Sequence, residues 1–198
     1  MKKSMALMVM AAVLGMGGCT GPASLTHSAK LSTVPACYQD ETEQNVAIPQ
    51  GYAELRVVSS LKTHLPGEFG LDDNGHGLPH YQLAVSIGEQ TTLLQGELLQ
   101  EKGSYGFFRN AESGEGMRYR FGKRLRVKAG THKLVVGLPG DDINIEKEIS
   151  LAEKSRNTLV LEPVYRLTAR AQRIGFYGES SFNEGIKGFK LVLNGEAL

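Results

Sequence analysis

Residues 117–164 read MRYRFGKRLRVKAGTHKLVVGLPGDDINIEKEISLAEKSRNTLVLEPV. Alternation with a period of two runs through this stretch. Tyr119, Phe121, Leu125 and Val127 take odd positions, and Arg118, Arg120, Arg124, Arg126 and Lys128 take even ones. Successive side chains of an extended chain point to opposite faces, so this pattern predicts strands with one apolar and one cationic face. Gly122 and Lys123 stand where the strand can break, so its two halves need not be coplanar. Further on, Ile143, Ile145, Ile149 and Leu151 share one parity, and "EKSR" turns the chain into "NTLVLEPV".

The same texture extends outward. "AELRVVSSL" places Leu55, Val57, Ser59 and Leu61 on one face, and "YQLAVSI" does so for Tyr81, Leu83, Val85 and Ile87. "GFKLVLN", residues 188–194, supplies a late strand. "TTLLQGELLQ", residues 91–100, is ambiguous: Leu94 and Leu98 have helical spacing, but Gly96 weakens a helix. Many short strands separated by glycine-marked turns indicate an all-β sandwich or barrel.

Residues 126–161, "RVKAGTHKLVVGLPGDDINIEKEISLAEKSRNTLVL", resemble the PEGA or transthyretin-like β-sandwich modules of bacterial envelope proteins. Gly130, His132, Leu134 and Val136 occupy the matching places, although the Pro-Glu-Gly-Ala tetrapeptide is absent. The resemblance implies an antiparallel β-sandwich of immunoglobulin or transthyretin-like type for residues 50–198, and no catalytic residues. On physical grounds Gly130 marks a turn that needs a permissive φ. His132 at the turn exit reads as a structural residue.

The N-terminus has a different character. Lys2 and Lys3 precede an apolar run from Met5 to Leu14, and no charge follows until after Gly18. The run is shorter than the roughly 20 apolar residues that span a bilayer. A basic start, a short apolar segment and small residues at its end predict a secretory signal over residues 1–18. Met16-Gly17-Gly18-Cys19 resembles the lipobox of bacterial lipoproteins, with Met16 where Leu is usual. The resemblance implies cleavage before Cys19 and covalent lipid on that residue. Thr20, where an Asp favours inner-membrane retention, implies an outer-membrane lipoprotein facing the periplasm. Residues 19–49, rich in small polar residues and proline, read as the lipidated cysteine and a flexible tether.

Without residues 1–18, the 22 Lys+Arg fall to 20 against 21 Asp+Glu, so overall charge gives no argument for nucleic acid. The chain has only Cys19 and Cys37, which leaves Cys37 a lone thiol once Cys19 carries lipid. No nucleophile elbow, zinc-protease helix motif or phosphate loop occurs. The absence of Trp argues against a carbohydrate-stacking cleft.

Two stretches carry candidate chemistry. From Met117 to Gly140 there are seven basic residues and no acid. Arg118, Arg120, Arg124, Arg126 and Lys128 form a stripe suited to phosphates, lipid headgroups or acidic glycans, with an Arg bias that favours bidentate contacts. The alternative is a solvated face neutralised across strands, with Glu146 and Glu148 as the expected partners. In "DDNGHGLPH", residues 72–80, His76, His80 and Asp72 offer imidazole and carboxylate to zinc or copper. Gly75, Gly77 and Pro79 forbid the helix that would make this spacing useful, so a polar turn is the competing reading. Asp141-Asp142 reads as a turn former.

These features predict a lipid-anchored envelope protein with a binding or assembly role, not an enzyme, with no cofactor beyond its lipid. An envelope protein or an anionic glycan or lipid is the expected partner. A hydrolase of envelope polymers and a metal-handling lipoprotein acting through His76 and His80 are the alternatives.

Overall fold

The computed structural model describes residues 38–40, 47–67, 74–102, 112–166, 182 and 185–198. Cys19, Cys37 and Asp72 lie outside these residues. The strands are β1 (Tyr38–Asp40), β2 (Tyr52–Thr63), β3 (Gln82–Ile87), β4 (Gln90–Gln95), β5 (Glu97–Glu101) and β6 (Gly116–Lys128). They continue with β7 (Gly130–Leu138), β8 (Ile143–Leu151), β9 (Arg156–Tyr165), β10 (Ile186–Leu193) and β11 (Glu196–Ala197).

They form two sheets packed face to face. One runs β1-β6-β2-β9-β10-β11, with β5 beside β1 on the same edge of β6. The other runs β4-β3-β7-β8. The chain is an all-β sandwich. Among the described residues its ladders are antiparallel except one: Glu54–Ser59 of β2 run parallel to Arg156–Leu161 of β9.

The alternating sequences explain the core. Leu55, Val57 and Leu61 of β2 meet Tyr119, Phe121, Leu125 and Val127 of β6 on the inner face of the first sheet. Leu83, Val85 and Ile87 of β3 and Leu134 and Val136 of β7 close the core from the second sheet. Burial of such side chains contributes about 1.5–3 kcal/mol each. Ser59 is the polar intruder on β2, and its hydroxyl donates to the Leu161 carbonyl at 2.8 Å. A buried hydroxyl with a partner carries little penalty.

Three local expectations change. Strand β6 continues through Gly122 and Lys123, so the even-numbered cations of both halves share one face. "TTLLQGELLQ" is two strands, not a helix, and Gly96 is where the chain leaves one sheet for the other. A Cβ at Gly96 would lie 3.0 Å from Phe121 Cε1, so a larger residue at this crossing needs the Phe121 ring to give by a few tenths of an ångström. Tyr38–Asp40, within the stretch read as tether, pair with Leu125–Val127 on the open edge of β6.

The turn at Gly130 behaves as its sequence suggests. Its φ of 127° lies in glycine territory. Only Ala129 separates β6 in the first sheet from β7 in the second. His132 secures this corner, with Nε2 donating to the Lys128 carbonyl at 2.6 Å.

Candidate functional site

The outer face of the first sheet holds the basic stripe. In the β2–β6 ladder, Lys62 lies opposite Arg118, Ser60 opposite Arg120, Arg56 opposite Arg124, and Glu54 opposite Arg126. Arg56 and Arg120 are exposed, and Arg124, Arg126 and Lys128 are half-buried. Arg156 of β9 adds a cation and reaches Glu54 only at 3.9 Å. Like charges placed directly across strands repel, so the Arg56–Arg124 pair works against the sheet that carries it.

Arg118 belongs to a different environment. Its Nε donates to Glu101 Oε1 at 2.5 Å, and a terminal nitrogen donates to Glu112 Oε2 at 2.6 Å. Lys62, only 3% exposed, sits beside it at 3.4 Å from Glu101 Oε2. The Lys62 ammonium also donates to the Glu112 and Gly114 carbonyls at 3.2 and 2.7 Å. Tyr165 completes the group by donating its hydroxyl to Glu112 Oε1 and accepting the Lys62 amide N–H. The Arg118 hydrogen bond holds the Glu101 carboxyl below its ordinary range, although partial burial acts the other way. Burial, with Glu112 next to it, pushes the Tyr165 hydroxyl well up.

The stripe therefore has a neutralised end at Arg118, and farther along it Arg56 and Arg124 face each other across the ladder. The expected acids are not the ones used. Glu146 and Glu148 are on β8 in the other sheet, where Glu146 pairs with Lys133 at 2.7 Å. Period-two parity assigns residues to faces but not to sheets. Sequence reasoning missed Lys62, Glu101, Glu112 and Tyr165, which come together only through pairing across the sheet edge and a loop that folds over it.

The second cluster lies at one end of the sandwich. The segment after residue 74 passes close to the end of β2: the Gly77 N–H donates to Thr63 Oγ1 at 3.2 Å. A Cβ on Gly77 would sit 2.6 Å from Pro66 Cδ. Gly75 and Gly77 have φ of 73° and 75°, and this left-handed pair flanks His76. The glycines that rule out a helix thus form the bend that carries His76 inward.

His76 Nε2 lies 2.8 Å from Asp141 Oδ1, and its Nδ1 lies 3.0 Å from His64 Nε2. His64 Nδ1 is 2.8 Å from the Leu65 carbonyl. The Tyr81 hydroxyl donates to Asp141 Oδ2. The side chains of His76 and Asp141 are 7% and 11% exposed, and the Tyr81 ring packs edge-on against His76. Burial, reinforced by the neighbouring carboxylate, pushes the Tyr81 hydroxyl far up, so it stays a neutral donor. Tyr119, packed at a tilt against Tyr81, donates to the Leu78 carbonyl at 2.8 Å and is pushed up to about 12 by burial.

Both ring nitrogens of His76 are therefore engaged by His64 and Asp141 rather than by His80. His80 lines a shallow, open pocket of about 200 Å³ with Tyr81, Leu93 and Pro139. Among the described residues, no group of three or more His, Cys, Asp or Glu side chains is arranged to hold a metal ion. Sequence reasoning singled out His76 but missed His64 and Asp141. Asp141, at the end of the 3₁₀ turn Pro139–Asp141, is a turn residue and also the anchor of this chain of hydrogen bonds. No protein-family model matches the chain, and no curated protein or solved structure matches it.

Proposed function

We propose that this chain is a lipid-anchored protein of the bacterial envelope, without catalysis of its own. In this reading its sandwich binds an anionic envelope component through the part of the basic sheet face that centres on Arg56 and Arg124. The Met16-Gly17-Gly18-Cys19 motif supports the anchor. The observation that carries the binding role is Arg56 directly opposite Arg124, flanked by Arg120, Arg126 and Lys128 on a face that the second sheet does not cover. A guanidinium pair of this kind repels when empty and gains when a phosphate or carboxylate bridges it. A bound anion removes the repulsion that the bare sheet carries.

The test is flotation of the chain lacking residues 1–19 with phosphatidylglycerol vesicles and with phosphatidylcholine vesicles. Binding to the anionic vesicles, weakening as salt rises, is the expected result. Equal and salt-independent binding to both, or no binding to either, rejects the electrostatic role.

A further inference from the structure

We propose that the outer edge of β4 joins a second copy of this chain, pairing β4 with β4 antiparallel about a two-fold axis at Leu93. Four strands from each copy then make one sheet of eight. The contact lies on the second sheet and does not rest on the binding role given to the basic face.

The phase of the hydrogen bonds shows which residues of β4 face outward. The strand order β4-β3-β7-β8 leaves β4 with one neighbour, β3. Just past β3, the Gly88 N–H donates to the Lys133 carbonyl of β7 at 2.8 Å. Backbone groups of an extended chain alternate sides, so Ala84 and Ser86 also turn to β7, and Leu83, Val85 and Ile87 turn to β4. Their partners are Leu94, Thr92 and Gln90. Thr91, Leu93 and Gln95 therefore aim their N–H and C=O away from the sheet. All three are exposed, and among the described residues no strand pairs with that side. The Thr91 hydroxyl and the Gln95 amide are engaged elsewhere, with Ser86 Oγ at 2.7 Å and the Pro79 carbonyl at 3.3 Å, which leaves the backbone edge clear.

Sheet edges that stay single are short, charged or covered. β8, at the other side of this sheet, carries Glu146, Lys147 and Glu148 in succession. The first sheet ends in the two-residue β11. β4 has none of these devices. Its six residues, QTTLLQ, include no charge and no proline. It also displays Leu93, 50% exposed.

The edge is complementary to itself. An axis at Leu93 pairs all three outward residues within the strand: Leu93 with Leu93 of the second copy, and Thr91 with its Gln95. Each such pair exchanges two backbone hydrogen bonds. The two Leu93 side chains meet on the outer face, where each covers the other. Thr92 falls opposite the second copy's Leu94, so half-buried and buried positions continue the inner face. Neither strand brings a charge to be desolvated. The nearest, Glu89 and Glu97, stand in the turn before β4 and beyond the crossing at Gly96.

The experiment cross-links the full chain in membranes of cells that produce it, in a Cys37→Ser background. Directly opposed hydrogen-bonded residues have Cα atoms about 5.5 Å apart, so Leu93→Cys should give a dimer with a short bismaleimide. Val164→Cys, at the other exposed apolar position, should not. The purified full chain in density-matched detergent should sediment as a dimer that dissociates on dilution. Leu93→Lys places two ammonium groups at the axis and should raise the dissociation constant about tenfold or more. Thr91→Lys should also weaken the dimer, and adding Gln95→Glu should restore it, because this register sets residue 91 opposite residue 95. A chain that sediments as a monomer and gives no cross-link overturns the proposal. Equal cross-linking at residues 93 and 164, or a dimer indifferent to Leu93→Lys, does so too. A monomer that instead captures an added uncharged peptide along β4 overturns the second-copy assignment. Cross-linking through Leu93→Cys keeps the test decisive if a lysine variant fails to fold.

Discussion

Arg56 on β2 and Arg124 on β6 are direct cross-strand partners on the outer face of the first sheet. Strand formation does not call for this pair, since opposite charges at such positions stabilise a sheet and like charges destabilise it. The same ladder shows what a satisfied arrangement looks like. One end of β6 gives Arg118 two carboxylates, Glu101 and Glu112. The contrast separates Arg118, paired with two carboxylates, from Arg56 and Arg124, which the proposed function gives to a ligand.

Arg124→Glu should therefore raise stability and lower binding together. Placing a carboxylate opposite Arg56 turns a repulsive pair into an attractive one, worth about 0.2–1 kcal/mol. Urea denaturation reads the stability, and flotation with phosphatidylglycerol vesicles reads the binding. A variant that binds as well as the parent would sink the role given to this face.

Lys62 tests the covered end. Lys62→Ala removes a nearly buried ammonium that bonds two backbone carbonyls and faces Glu101. Leaving those acceptors without a donor should destabilise the fold by roughly 2–4 kcal/mol. Lys62→Met keeps the packing of the stem near the Phe182 ring and should cost less. Equal denaturation midpoints for Lys62→Ala and the parent would contradict this account.

Glu101 gives the network a pH dependence with a definite sign. Its folded carboxyl is held below the unfolded value of 4.5, first by the Arg118 hydrogen bond. A depressed carboxylate contributes stability that is fully present above the unfolded value and is lost as pH falls through the folded one. Stability should therefore decline as pH drops below about 4.5, and the decline should be shallower in Glu101→Gln. The Glu101 side chain is 33% exposed, so solvent screening keeps the effect modest. Denaturant midpoints measured across this range check it; identical slopes for the two proteins would refute it.

Gly116 opens β6 where a Cβ would lie 2.5 Å from the Thr63 carbonyl oxygen and 2.9 Å from Lys62 Cε. Backbone cannot yield cheaply there. Gly116→Ala should cost about 1–3 kcal/mol, the usual penalty of overpacking. Gly122→Ala, whose Cβ meets nothing within 4 Å, is the matched control and should change the thermal midpoint far less.

The anchor is tested at Cys19. Cys19→Ser should move the chain from the membrane fraction to the soluble fraction. Mass spectrometry of the unaltered protein should find Cys19 as an acylated N-terminal residue. An unmodified peptide running through Cys19 would overturn the lipoprotein reading.

Much of the fold was legible because strand periodicity is local. Tyr119, Phe121, Leu125 and Val127 of β6 and Ile143, Ile149 and Leu151 of β8 lie in the core as their alternation requires. Gly130 and His132 serve as turn and turn exit for reasons visible in a few residues. The partners of Arg118 were not legible. Glu101 reaches it from β5 and Glu112 from the loop before β6, and only sheet pairing decides that proximity.

By itself, the sequence determined that this chain forms short amphipathic strands, which residues face the core, and that five cations of one strand share a parity. Those properties follow from backbone geometry repeating every two residues. The tertiary structure decided which sheet each strand joins and which cations are neutralised. It also decided that His64, His76, Asp141 and Tyr81 meet in one chain of hydrogen bonds. Contacts between residues far apart along the chain depend on how the two sheets stack and where loops cross their ends, and no local period encodes that.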